Sequence, residues 1–181
     1  MRQSPDHTWP DRALRVYIAA SFKHVHGVRL LGRALRTAGF VVLDWTEMAT
    51  PPPGLTPAQR RVWMDTDQAG GQVFSFCRDA CNDADLLIYF GASGQDAGVE
   101  VGMAYGAGLP ILGIRGPLEA PGLMLHGAIT TWVETIEDAL DMLHACAALT
   151  HAPTPADPDA PGLWATQAHA LTRRWRERMR A

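Results

Sequence analysis

The sequence predicts an α/β fold of three layers: a parallel sheet of about five strands between helices, plus a C-terminal helix after a proline-rich linker. Three observations predict it. Short apolar runs of strand length recur along the 181 residues, stretches of helical periodicity separate them, and glycine or proline marks most of the junctions. Strands that alternate with helices form a parallel sheet covered on both faces, a flavodoxin-like or Rossmann-like arrangement.

Val16-Tyr17-Ile18-Ala19-Ala20 is the first buried strand. Val28, Leu31, Leu35 and Ala38 then recur at helical spacing until Gly39 stops the helix, and Phe40-Val41-Val42-Leu43 makes a second strand. Pro51-Pro52-Pro53-Gly54 excludes regular structure, while Thr56-Pro57-Ala58-Gln59 has a capping residue followed by proline at the first helical position. This segment is an excursion over the carboxyl edge of the sheet. A helix over about 72–83 leads into the strand Leu86-Leu87-Ile88-Tyr89-Phe90, a second over about 98–107 follows, and Pro110-Ile111-Leu112-Gly113-Ile114 is the fourth strand. Ala128 to Val133 is expected as the fifth, and Glu137 to Leu149 closes the domain with Ala139, Leu140, Leu143 and Ala147 on one face.

Four divisions follow: an extension over 1–14, an α/β domain over 15–150, a linker over 151–162 with four prolines, and an amphipathic helix over 163–181. Trp164, Ala168, Leu171 and Trp175 give that last helix an apolar stripe, which needs cover from its own body or a neighbour's.

A net charge of −3 with 47% apolar residues fits one ordinary core. No run approaches the roughly 18 apolar residues of a membrane span, and Met1-Arg2-Gln3-Ser4-Pro5-Asp6 lacks the apolar stretch of a secretory signal, so no membrane contact and a cytoplasmic location are expected. Cys77, Cys81 and Cys146 form neither a disulfide framework nor a zinc-ligand spacing, and no metal is expected. Lys23 is the lone lysine among sixteen basic residues. Arginines cluster over 173–180, but the remaining surface is acidic, so a solvated helix end or subunit contact is expected there rather than nucleic acid.

The most informative stretch is Asp96-Ala97-Gly98-Val99-Glu100-Val101-Gly102, which follows the third strand and the link Gly91-Ala92-Ser93-Gly94-Gln95. A helix start at the carboxyl end of a parallel strand offers free N–H groups and a positive dipole end where ligands bind. Asp96 and Glu100, four apart, share a helix face. Asp96 as a simple cap and Glu100 as a dipole partner are the plain alternative, but Gly94, Gly98 and Gly102 around them allow close approach of a ligand. Tyr17 within the first strand, Ser21 at its end and Lys23 just beyond are expected at the same edge.

With these residues in view, about 15–145 resembles the nucleoside 2-deoxyribosyltransferase family and its deoxynucleotide N-glycosidase relatives. Tyr17-Ile18-Ala19-Ala20-Ser21 is similar to the first-strand motif whose Tyr supports the nucleophile. Asp96 to Tyr105 is similar to the acidic, glycine-rich segment that carries the nucleophilic Glu, and Gly122-Leu123-Met124-Leu125-His126-Gly127 to a later segment that approaches the nucleobase. The resemblance implies a Glu100 nucleophile, Tyr17 beside it, and Asp96 in proton transfer or base holding. It implies a substrate edge drawn from Ser21, Lys23, Gly91, Ser93, Gly94, Gly98 and Met124. Two departures stand out. Asp96 precedes Glu100 by four, closer than the family's acidic residue, and the helix position where the family has Asp aligns with Cys77. Asp79, two residues on, takes that role if the helix shifts; otherwise the carboxylate is absent.

The expected activity is cleavage or transfer at the N-glycosidic bond of a nucleoside or nucleotide, through a covalent glycosyl ester on Glu100 and without a cofactor. The alternatives are a TIR-like NAD glycohydrolase and a nucleotide-binding sensor without turnover. A homo-oligomer, dimeric or higher, is expected because relatives complete the site across a subunit boundary.

Overall fold

The structure, a computed structural model, describes residues 12–151 and 165–180. Most of the expected extension (1–14), nearly all of the linker (151–162) and Trp164 lie outside the described residues. The elements run β1 (Arg15–Ala19), α1 (Val25–Thr37), β2 (Val41–Leu43), α2 (Trp45–Met48), α3 (Pro57–Met64), α4 (Asp67–Asp83), β3 (Leu86–Phe90) and α5 (Gln95–Gly106). They continue with β4 (Ile111–Ile114), α6 (Leu123–Ala128), β5 (Thr131–Val133), α7 (Ile136–His151) and α8 (Ala165–Arg180).

Local chemistry sets most of these boundaries. The Thr56 hydroxyl accepts from the Gln59 N–H while the Gln59 side chain accepts from the Thr56 N–H, a reciprocal cap that starts α3 with Pro57 in its first turn. Thr66 caps α4 through the Ala69 N–H, so that helix begins about five residues before the predicted 72 and runs through Gly70-Gly71. Gly39 at φ +90° and Gly108 at φ +75° take left-handed conformations just past α1 and α5. The fifth strand is shorter than the expected 128–133: Ala128 ends α6, and only Thr131–Val133 pairs with β4.

All five strands are parallel, in the order β2-β1-β3-β4-β5. Tyr17 sits in the centre of the sheet, opposite Leu43 on one side and Leu87 on the other. The apolar strand runs fill the core, with Tyr17, Ile18, Leu87, Ile88, Ile111 and Leu112 almost wholly buried. Helices α1 and α7 pack together on one face, and α4, α5 and α6 in sequence on the other. Between β1 and β3 the winding reverses, which opens a crevice at the carboxyl ends of those strands.

The last helix finds its cover on its own chain. Ala168, Leu171 and Trp175 are buried where α8 meets α7 and β5. The need of this stripe for a neighbour's surface therefore does not arise. Its arginines are partly engaged as well: Arg174 stacks over Tyr105 at 5.8 Å, and Arg178 donates to the Ala84 and Asn82 carbonyls at 2.7 and 2.5 Å, where α4 ends. Leu171→Ala should destabilise the protein by about 2–4 kcal/mol, the usual cost of emptying a buried leucine site, measured by urea unfolding. A change below about 0.5 kcal/mol would mean that α8 does not pack as described.

Candidate active site

A cavity of about 460 Å³ opens at the crevice, walled mainly by four parts of the chain, with Met64 of α3 at its border. Ala20, Ser21 and Phe22 come from the end of β1, and Trp45 from the start of α2. Gly70, Val73, Phe74, Cys77 and Arg78 come from α4, on one face because they recur three and four apart. Asp96, Val99, Glu100 and Met103 come from α5 by the same periodicity, with Gly94 and Ala97 at its start. The lining is largely apolar, with Phe22 and Trp45 in edge-to-face contact at 4.8 Å. Such a wall suits one planar face of a ligand, while few polar groups set its orientation.

Glu100 stands in the cavity wall against Tyr17. The Tyr17 hydroxyl donates to its Oε1 at 2.6 Å, and Oε2 is buried with no hydrogen-bond partner of its own. Burial pushes the Glu100 carboxyl up to about 7; the Tyr17 hydroxyl and the Cys77 thiol beside it pull the other way, and the Asp96 charge adds to the rise. The Tyr17 phenol is held far above its ordinary range, first by burial and then by the Glu100 charge, so it is a permanent donor. The site thus holds a carboxylate that ionises near neutrality, with one oxygen anchored by Tyr17 and the other buried without a hydrogen-bond partner. Tyr17→Phe removes a hydrogen bond to the charged form, and should move the Glu100 midpoint upward by roughly one pH unit, followed by carboxyl-carbon NMR.

The structure brings Ser21, Gly94, Asp96 and Glu100 together in the cavity wall, with Tyr17 directly behind Glu100. Asp96 is exposed in the first turn of α5 and makes no capping bond, so its carboxylate is open to a ligand. Ser93 is internal wiring: its hydroxyl accepts from the Ser21 N–H and donates to the Phe90 carbonyl, and its own N–H donates to Tyr89. Gly91 is packed against Ile114 and Glu119 of the next loop, outside the lining. Gly94, Gly98 and Gly102 each leave open space where a Cβ would stand, but Gly94 alone of the three lines the cavity.

Three expected residues lie elsewhere. Asp79 is exposed and paired with Arg78 at 2.8 Å, because the helix keeps its register and turns Cys77, not Asp79, to the cavity. Lys23 is exposed on a single turn after β1 (Phe22–His24), outside the lining. Met124 is 87% exposed on α6 and likewise does not reach the cavity. Phe22, Trp45, Met64, Val73, Phe74 and Met103 also line the cavity and were not singled out from the sequence, while Cys77 entered there only as the position aligned with the family's Asp. Gly70, Val73, Phe74 and Cys77 share one face of α4, a spacing that can be read only once the helix is known to begin at Asp67. Among the described residues no cluster of three or more His, Cys, Asp or Glu could hold a metal ion.

No protein-family model matches the sequence, and no curated protein matches it. Solved structures do match. The chain is similar to a 2-deoxyribosyltransferase from Bacillus psychrosaccharolyticus, with a TM-score of 0.51 and 18% identity over 70% of this chain and 90% of that one. It is also similar to a CMP N-glycosidase from Clostridium botulinum, with a TM-score of 0.47 and 20% identity over 72% of this chain and 98% of that one. The first likeness defines the class of fold, the parallel α/β architecture already seen in the strand order.

Proposed function

We propose that this protein cleaves or transfers at the N-glycosidic bond of a nucleoside or nucleotide, with Glu100 as nucleophile. One observation carries the reading. A buried carboxylate faces an apolar cavity, with one oxygen held by a tyrosine that does not ionise and the other free of any partner. The shared fold with a 2-deoxyribosyltransferase supports it.

In the first step Glu100 Oε2 attacks the anomeric carbon of a bound pentose, a C–O ester bond forms, and the C–N bond to the base breaks with its electron pair leaving on the base. Asp96, open at the start of α5, is suited to deliver a proton to the departing nitrogen. In the second step water or another base displaces Glu100 and releases the sugar. The Tyr17 hydrogen bond stabilises Glu100 as the carboxylate before it attacks, and again when it leaves as a carboxylate in the second step.

The test is incubation with deoxynucleosides, deoxynucleotides and NAD, with free base followed by chromatography and the intact mass of quenched enzyme read for a pentosyl adduct. Base release with an adduct on Glu100 is expected. Nicotinamide from NAD and nothing from the others would favour the TIR-like alternative; saturable binding without product would favour a sensor.

A further inference from the structure

Glu119 stands in the loop between β4 and α6, outside the cavity lining, yet its carboxylate reaches the carboxyl end of β3. A turn over Gly116–Glu119, closed by the Glu119 N–H to the Gly116 carbonyl at 2.9 Å, brings it there. Its Oε1 accepts from the Tyr89 hydroxyl at 2.5 Å and its Oε2 from the Gly116 N–H at 3.2 Å. Oε2 also fills the space of a side chain at Gly91, where a Cβ would stand 1.9 Å from it. The Tyr89 proton goes to Glu119, since an ionised carboxylate only accepts, and this leaves the phenol oxygen to accept from the Ser93 N–H at 3.1 Å. Ser93 Oγ in turn accepts from the Ser21 N–H at 3.0 Å and donates to the Phe90 carbonyl at 2.5 Å. One hydrogen-bond network thus joins the ends of β4, β3 and β1. Ser21 lines the cavity, and so does Gly94, the residue that follows Ser93 and caps α5.

We propose that Glu119 is a positioning residue for substrate binding: through Tyr89 and Ser93 it holds the Ser21 and Gly94 rim of the cavity in place, without touching the ligand. The functional part of this proposal rests on the glycosidic reading of the cavity; the coupling of Glu119 to Ser21 stands without it. Glu100 is held separately, by Tyr17 on β1 and by the buried Ala97, Val101 and Ala104 of its own helix. Cutting the network therefore loosens the rim and spares the nucleophile. A role in folding alone has a different signature, lower stability with an unaltered rim in the molecules that fold.

The test uses the full chain. Backbone amide hydrogen exchange is read at Ser21, with Ile18 and Ile88 inside the β1–β3 ladder as internal references. Glu119→Ala and Tyr89→Phe should each speed exchange at Ser21 by about tenfold or more relative to those references, while Glu119→Gln, whose amide oxygen still accepts from Tyr89, should stay within about threefold of the wild type. With deoxynucleosides and deoxynucleotides as probes, the first two variants should raise KM by about tenfold and leave kcat within about threefold. The Glu119→Ala, Tyr89→Phe double variant should be no worse than the worse single one, because both cut the same network. Unchanged Ser21 exchange overturns the coupling, and Tyr89→Phe decides it if Glu119→Ala does not fold. Additive effects on KM, or a loss in kcat with KM unmoved, overturn the positioning role. If the wild type releases base from none of the probes, the reading of Glu100 as nucleophile fails, while Ser21 exchange and the Kd of the same probes still decide this proposal.

Discussion

Glu100→Gln should lose base release by at least about 10³-fold in kcat while becoming more stable than the wild type above neutral pH. The amide keeps the volume of the carboxylate and can still accept from the Tyr17 hydroxyl, but it has no anionic oxygen to attack an anomeric carbon. The stability gain follows from the direction of the Glu100 shift, from an ordinary 4.5 to about 7. A group whose folded pKa is raised binds its proton more tightly in the native state. That contribution is whole below about 4.5 and is lost as pH rises through about 7. At pH 8 the wild type therefore carries the cost of a buried charge, on the order of 2–3 kcal/mol, that the amide does not. Urea unfolding at pH 4 and pH 8 should show the variant level with the wild type at the lower pH and above it at the higher. Full activity in Glu100→Gln would remove the nucleophile, and equal stability at pH 8 would mean that the carboxylate is better solvated than its surroundings imply.

Gly116→Ala should be among the most damaging single methyls outside the cavity. A Cβ at Gly116 would stand 2.5 Å from the Ala92 nitrogen and 2.9 Å from the Gly91 carbonyl carbon. Both are backbone atoms, so no rotamer change relieves the contact. The loops after β3 and β4 are also joined by the Gly91 N–H to the Ile114 carbonyl at 2.9 Å, and by Glu119, which accepts from Tyr89 and from the Gly116 N–H. To make room, the β3–α5 loop must move, and it carries Gly94 and the start of α5. A loss of about 2–3 kcal/mol is expected, the range for overpacked cores, together with weaker ligand binding. A thermal melt and a binding titration on the same sample would check both; a variant as stable as the wild type would show that the two loops have slack.

The strands were legible because a parallel sheet buried on both faces demands unbroken apolar runs, and Val16–Ala20 and Leu86–Phe90 are such runs. Glu100 was legible for a different reason: an acidic residue one turn into a helix that leaves the carboxyl end of a central strand has few places to point. The far wall was not. Gly70-Gly71 mask the amino-terminal part of α4 in a propensity reading, although Thr66 caps it and its packing against α2 and α5 holds it. With that wall unread, whether Cys77 or Asp79 turned inward depended on a helix register that sequence spacing leaves open. Met124 and Lys23 were placed by motif and by loop position, and neither carries information about direction; both side chains point outward. The docking of α8 was open in principle, since an apolar stripe states that cover is needed and not which surface supplies it.

Residues from both extremities of the described chain fasten on a single junction. Arg12 grips Asp85 with paired bonds of 2.8 and 3.0 Å, and Arg178 takes the carbonyls of Asn82 and Ala84. This knot lies under the amino ends of the strands, on the side of the sheet away from the cavity. Affinity handles or surface anchors joined near residue 12 or residue 178 would thus leave the mouth of the cavity facing free solution.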